Sequence, residues 1–258
     1  MSSQPIFHVG LFVTCLVDLF RPSVGFSSIK LLEQAGCKVS VPTTQTCCGQ
    51  PTYNNGDIAH SREIAKQVID SFWDYDYVVV PSGSCAGMFK QHYPELFQQD
   101  NTWLIKAHTF AERCYELTSF LTDICGMTAV DADFPYTVTY HDSCSSLREM
   151  QVKSQPRQLL QTVRGLKLVE MKESEVCCGF GGTFCVKYPE ISTRIVSDKV
   201  ANIEATQAEV LLAGDMGCLL NITGRLKRLN SKVKVYHVAE VLANNTQDIP
   251  AIAEITAS

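Results

Sequence analysis

The sequence predicts an α/β protein of two pseudo-symmetric, Rossmann-like lobes made by internal duplication, with parallel sheets and a metal site at the strand C-terminal edge of each lobe. Three observations carry this expectation. Eight cysteines fall into two matching sets of four, Cys15, Cys47, Cys48 and Cys85, then Cys144, Cys177, Cys178 and Cys218. Short runs rich in Val and aromatics alternate with helical patterns, which is the signature of parallel βαβ units. Several of the cysteines stand directly after such a run, where open α/β sheets place their ligands.

The duplication rests on spacing. The first half reads VTCLVD, QTCCGQP and PSGSCAGM; the second reads YHDSCSS, EVCCGFGG and GDMGCLLN. Cys15 to Cys47 is 32 residues and Cys144 to Cys177 is 33; Cys48 to Cys85 is 37 and Cys178 to Cys218 is 40. The period is 129 residues between Cys15 and Cys144 and 130 between Cys47 and Cys177. A repeat of this length divides the chain into an N-terminal lobe, 1–130, and a C-terminal lobe, 131–258, joined near the DADFP stretch at Ala129–Pro135.

The elements follow in order. Phe7–Val13, Lys38–Pro42 and Tyr77–Pro81 read as strands of lobe one, and Tyr136–Tyr140, Leu166–Met171 and Val210–Ala213 as their counterparts. Asp57–Trp73 places Ile58, Ile64, Ala65, Val68, Ile69 and Phe72 on one helical face, and Pro189–Ala205 repeats the pattern with Ile191, Ile195, Val196, Val200 and Ile203. A helix over Ile105–Gly126 closes lobe one, and Val233–His237 with a following helix closes lobe two. Gly36, Gly126 and Gly165 stand where helix C-caps are expected.

Composition limits the function. The chain has 258 residues, 45% hydrophobic and 19% charged, enough for a packed core. Its formal net charge of −5 argues against nucleic acid as a partner. The apolar stretch Ile6–Phe20 is too short for a membrane span, is interrupted by His8 and Asp18, and has no basic residues before it. A cytoplasmic location is expected. There, 12 cysteines point to metal or redox chemistry rather than disulfides.

Four thiolates per lobe match a [4Fe–4S] cluster or a tetrahedral zinc site. Adjacent cysteines need a tight turn to aim both sulfurs inward, and Gly49 and Gly179 permit the positive φ of such a turn. Gly181 and Gly182 extend it in lobe two, where bare N–H groups are available to tune a bound cluster. His141 and Asp142 precede Cys144 as candidate neighbours of the metal or as a proton relay, against an ordinary strand-end role. Arg148 and Lys187 are candidate counter-charges or plain surface cations. Cys37, Cys114, Cys125 and Cys185 stand outside the repeat and read as packing residues. Gly179-Phe180-Gly181-Gly182 lacks dinucleotide-binding spacing, and no Walker, GxSxG or HExxH motif occurs.

The duplicated Cys…Cys-Cys-Gly…Cys pattern resembles the cysteine-rich CCG domain family, which includes the B subunit of heterodisulfide reductase and the iron–sulfur subunit of glycolate oxidase. HDSCSSLRE, EVCCGFGGTFCVKYPEIS and GDMGCLLN look like the lactate utilisation protein A branch, over about Pro5–Ala243. The resemblance implies up to two iron–sulfur clusters, with zinc as an alternative in one lobe. It also implies a subunit of an L-lactate-oxidising complex, with a ferredoxin-like iron–sulfur subunit and a third small subunit as partners. Fuller versions of the motif end in CxxC, whereas this chain has Cys85-Ala-Gly-Met88 and Cys218-Leu-Leu-Asn221. The missing thiolate shifts the expectation from disulfide cleavage towards electron transfer.

Overall fold

A computed structural model describes residues 6–247 and 249–252. Each lobe is a four-stranded parallel sheet with helices packed on it, and the two sheets share one topology, β2-β1-β3-β4 and β6-β5-β7-β8.

In lobe one, β1 (His8–Leu11) runs into α1 (Cys15–Phe20), and Pro22 opens α2 (Pro22–Gln34). Gly36, at φ 85°, turns the chain into β2 (Lys38–Ser40). α3 (Gln50–Asn54) and the amphipathic α4 (Ile58–Ser71) lead to β3 (Tyr77–Val80). Asp57 caps α4 by accepting from the His60 N–H at 3.2 Å. Next, α5 (Gly83–Gly87) continues through a π-helical turn, Met88–His92, into α6 (Tyr93–Leu96). Then come α7 (Asn101–Glu112), β4 (Cys114–Glu116), α8 (Leu117–Ser119) and a second π-helical turn, Phe120–Ile124.

Lobe two repeats the plan with β5 (Thr137–Tyr140), α9 (Cys144–Arg148), α10 (Ser154–Leu160), β6 (Lys167–Leu168), α11 (Phe184–Lys187) and α12 (Pro189–Ala205). β7 (Val210–Ala213), α13 (Met216–Arg228), β8 (Lys234–His237) and α14 (Val238–Leu242) complete it. The repeat extends to single hydrogen bonds. Phe12 N donates to Val79 O at 2.9 Å, and His141 N donates to Leu212 O at 2.9 Å, at equivalent places in the two sheets.

Two expectations are corrected. The helix expected over Ile105–Gly126 is broken after Glu112, and Cys114, Tyr115 and Glu116 instead pair in parallel with Val78, Val79 and Val80. The open edge of β3 offers that segment backbone partners which its helical periodicity does not register. Gly165 lies in a turn before β6, packed against Pro135, rather than at a helix end. The Ala129–Pro135 stretch is tied to lobe two, where Arg164 bonds Asp131 and Asp133.

The lobes dock closely. Arg21 and Glu240 form a buried ion pair across the interface at 2.7 Å, and Glu240 also accepts from Ser23 Oγ and His237 N. α5 packs on α9, and the close approach depends on glycine. A Cβ on Gly83 would lie 2.8 Å from the Ser146 Cα, and one on Gly87 would lie 3.0 Å from the Glu149 Cδ. Among the described residues, no helix is long and apolar enough to cross a membrane.

Gly83→Ala is expected to destabilise the protein by about 1–3 kcal/mol, because the new methyl meets backbone that cannot yield. Gly25→Ala is the control: its Cβ meets only Val13 and Val17 side chains at ordinary contact distances. Denaturant unfolding of both variants checks this, and equal stability would show that the α5–α9 contact is loose.

Candidate metal centre

In both sheets the central pair, β1/β3 or β5/β7, flanks the point where strand order reverses. Cys15 opens α1 just beyond β1, and Cys85 lies in α5 just beyond β3. Cys144 opens α9 beyond β5, and Cys218 lies in α13 beyond β7. The Cys-Cys-Gly turns follow the neighbouring strands β2 and β6 in sequence and bring the remaining thiols to the same edge.

Each turn depends on its glycine. Gly49 and Gly179 adopt φ 82° and 84°. A Cβ on Gly179 would also lie 2.9 Å from the Ser192 carbonyl. The carbonyl before each glycine is anchored. Tyr93 Oη donates to Cys48 O at 2.9 Å in lobe one, and Asn221 Nδ2 donates to Cys178 O at 2.9 Å in lobe two. The π-helical turn at Met88–His92 sets Tyr93 at the start of the next helix, where it makes this bond. Gly181 and Gly182 also have positive φ, 52° and 64°.

The thiols form a chain of contacts in each lobe. Cys15 Sγ lies 3.9 Å from Cys47 Sγ. Cys47 is held well below the usual thiol range, first by its hydrogen bond from Cys15 and then by one from Cys48. Cys48 in turn is pushed up by donating to Cys47, and it also bonds Cys85. Lobe two repeats the pattern: Cys177 is lowered by Cys144 and then Cys178, with Gly179 N donating to its sulfur at 3.3 Å. Cys178 is raised first by Cys177, and also contacts Cys218. One thiolate per lobe is thus stabilised by protons that its neighbours keep. A bound cation would displace those protons.

The lobes differ in what lies beside the thiols. Lobe two has His141 where lobe one has Phe12, counting back from Cys144 and Cys15. It has Lys199 where lobe one has Ile69, counting on from the Cys-Cys-Gly turns. All four side chains are buried. Burial, and then the charge of Lys199, pushes the His141 pKa down to about 4, so the imidazole is neutral near pH 7. Lys199 Nζ is held by the carbonyls of Glu173 and Ser174.

The other expected residues sort themselves by contact. Asp142 is gripped by Arg157 through two bonds of 2.8 and 2.9 Å, so its carboxylate is committed to an ion pair. Arg148 and Lys187 are exposed. Cys114 is buried and bonds the Phe110 carbonyl at 3.2 Å. Cys37 and Cys125 lie together, 3.8 Å apart. Cys185 stands closer to a site than its spacing suggests, 3.7 Å from Gly182 O in the loop after Cys178.

The two groups of thiols face one another. A cavity at Cys15, Cys47, Cys48 and Cys85 and another at Cys144, Cys177, Cys178 and Cys218 share Gln50, Ser84, Phe180, Gly182 and Asp215. Asp215 caps α13 by accepting from Gly217 N at 3.1 Å, and its second oxygen accepts from Ser82 Oγ and Ser84 N of lobe one, each at 3.0 Å. Ser82 and Asp215 each stand three residues before a site cysteine and line this space. Met88 and Asn221 line neither cavity: Met88 is packed in the core, and the Asn221 amide is spent on a carbonyl. The place beside the thiols therefore falls to Ser82 and Asp215. An Asp or Ser three residues before a cysteine that enters a helix is an N-cap signature, and it was present in the sequence to be read.

The family model for the CCG cysteine-rich domain matches residues 9–90 and 138–223. Lactate utilization protein A of Geobacillus kaustophilus is 49% identical over 234 residues, covering 91% of this chain and 98% of its own. Its namesake from Bacillus subtilis is 48% identical with the same coverage. This chain belongs to the lactate utilization protein A family of CCG proteins. A solved structure of a hypothetical protein from Helicobacter pylori shares the fold, with a TM-score of 0.65 at 12% identity. It matches 95% of this CCG protein, which spans 50% of that longer chain.

For this CCG protein, Cys177→Ser is expected to lose the metal of lobe two and to weaken that lobe, because binding energy is folding energy there. Cys114→Ser is expected to keep full metal content. Metal analysis per chain decides, and equal content in the two variants would show that the wrong cysteines have been chosen.

Proposed function

We propose that this chain is the iron–sulfur subunit of an L-lactate-oxidising complex, converting lactate to pyruvate and carrying electrons on clusters held by its two CCG motifs. The observation that carries the reading is the pairing of two four-thiol groups across one cleft, each at the switch point of its own sheet. The names of its relatives supply the substrate.

The duplicated CCG motif favours clusters over single zinc ions. Four thiols in each lobe match the ligand count of a centre with several irons. Cys15, Cys47, Cys48 and Cys85 would hold one cluster, and Cys144, Cys177, Cys178 and Cys218 the other. Clusters there supply one-electron storage, and two of them match the two electrons that lactate loses.

The surrounding residues fix and shield the pair. Asp215 joins the starts of α5 and α13, and so sets the separation of the two sites. Phe180 fills the space between them, its ring against Gly217. The chain has no dinucleotide-binding glycine loop for a hydride carrier. A ferredoxin-like iron–sulfur subunit and a third small subunit complete the proposed complex, working in the cytoplasm.

Anaerobic purification followed by iron, sulfide and zinc analysis, with EPR of the reduced protein, tests the reading. Iron and sulfide in both lobes are expected, along with loss of growth on L-lactate when the gene is deleted. A colourless protein with stoichiometric zinc and no iron, or unimpaired growth on lactate, would overturn it.

A further inference from the structure

His141 sits at the end of β5, its backbone held by Leu212 O in the register that Phe12 occupies in lobe one. The side chain is fully buried, and neither ring nitrogen has a hydrogen-bond partner. An orphaned buried polar group is unfavourable, and native structures rarely leave one without an ion or water to satisfy it. Phenylalanine at the matching place in lobe one shows that the fold does not require a polar ring there.

The position of the ring supplies the reason. One imidazole nitrogen and the sulfurs of Cys178 and Cys218 all lie within 4.8 Å of one another. Donors sharing one metal ion, at about 2.0–2.3 Å each, stand in that range. His92, which lines the cavity at these thiols, is committed to Glu95 at 2.9 Å.

We propose that His141 is a metal ligand in lobe two, binding the same centre as Cys178 and Cys218, so that the two lobes hold electronically different centres. The inference rests on the iron–sulfur reading above. The imidazole is a neutral donor added to the four thiolates, and Lys199 brings a positive charge near Cys178 and Cys218. That positive charge raises a cluster's reduction potential. Lobe one, with Phe12 and Ile69 at the matching places, has neither. Lobe two is therefore the electron sink of the pair.

The test is pulsed EPR on the reduced, iron-loaded chain grown with natural or ¹⁵N-labelled histidine. The expected result is a nitrogen coupling that changes with the label and vanishes in His141→Phe, while the lobe-one signal persists. His141→Cys is expected to keep its iron, lose the coupling and titrate at a lower potential. Iron in both lobes with no label-dependent coupling, or a coupling that survives in His141→Phe, overturns the inference alone. An unchanged potential in His141→Cys also overturns it. A chain without iron overturns the iron–sulfur reading and this inference together, and metal analysis separates the two cases.

Discussion

Thiols gathered in a closed space cannot all ionise without a cation among them, and the rest of this structure is arranged around that constraint. Each lobe brings four thiols into contact at the edge of its sheet. One sulfur per lobe is anionic because its neighbours keep their protons and donate them to it. Such an arrangement suits a metal centre, which would take the place of the shared protons. The positive-φ glycines, the anchored carbonyls of Cys48 and Cys178 and the helix starts at Cys15 and Cys144 all fix where the sulfurs point.

Duplication has kept the backbone and released the side chains. The strand order, the Cys-Cys-Gly turn and the hydrogen bond before the first cysteine recur in both lobes. The means of support do not. Tyr93 anchors one turn and Asn221 the other, while Phe12 and Ile69 face His141 and Lys199 across the repeat. Two groups of the same thiols with different neighbours have different electrostatics.

Placing the sites together requires a tight lobe interface. Gly83 and Gly87 remove the side chains that would hold α5 away from α9. The Arg21–Glu240 pair is buried, and desolvating two charges offsets much of their attraction. Its geometry, with Ser23 and His237 N satisfying the same carboxylate, makes it a device for orientation more than for stability. Asp215 completes the join by capping helices of both lobes with one carboxylate.

The sequence by itself determined the duplication, the parallel α/β class and the eight thiols, because cysteine spacing and hydrophobic period are local and countable. It also marked Gly49 and Gly179, since adjacent cysteines that must face one way leave few backbone solutions. The tertiary structure alone decided four other matters. It made a strand of Cys114–Glu116, because the edge of β3 offered backbone bonds that a local pattern does not encode. It set Ser82 and Asp215, rather than Met88 and Asn221, beside the thiols, because a helix start aims its cap at the site while the next turn aims into the core. It separated His141, left without a partner, from Asp142, bound to Arg157, although the two are neighbours in sequence. Finally, it turned the two groups of thiols towards one cleft, because the docking of lobes depends on surfaces assembled from residues far apart in the chain.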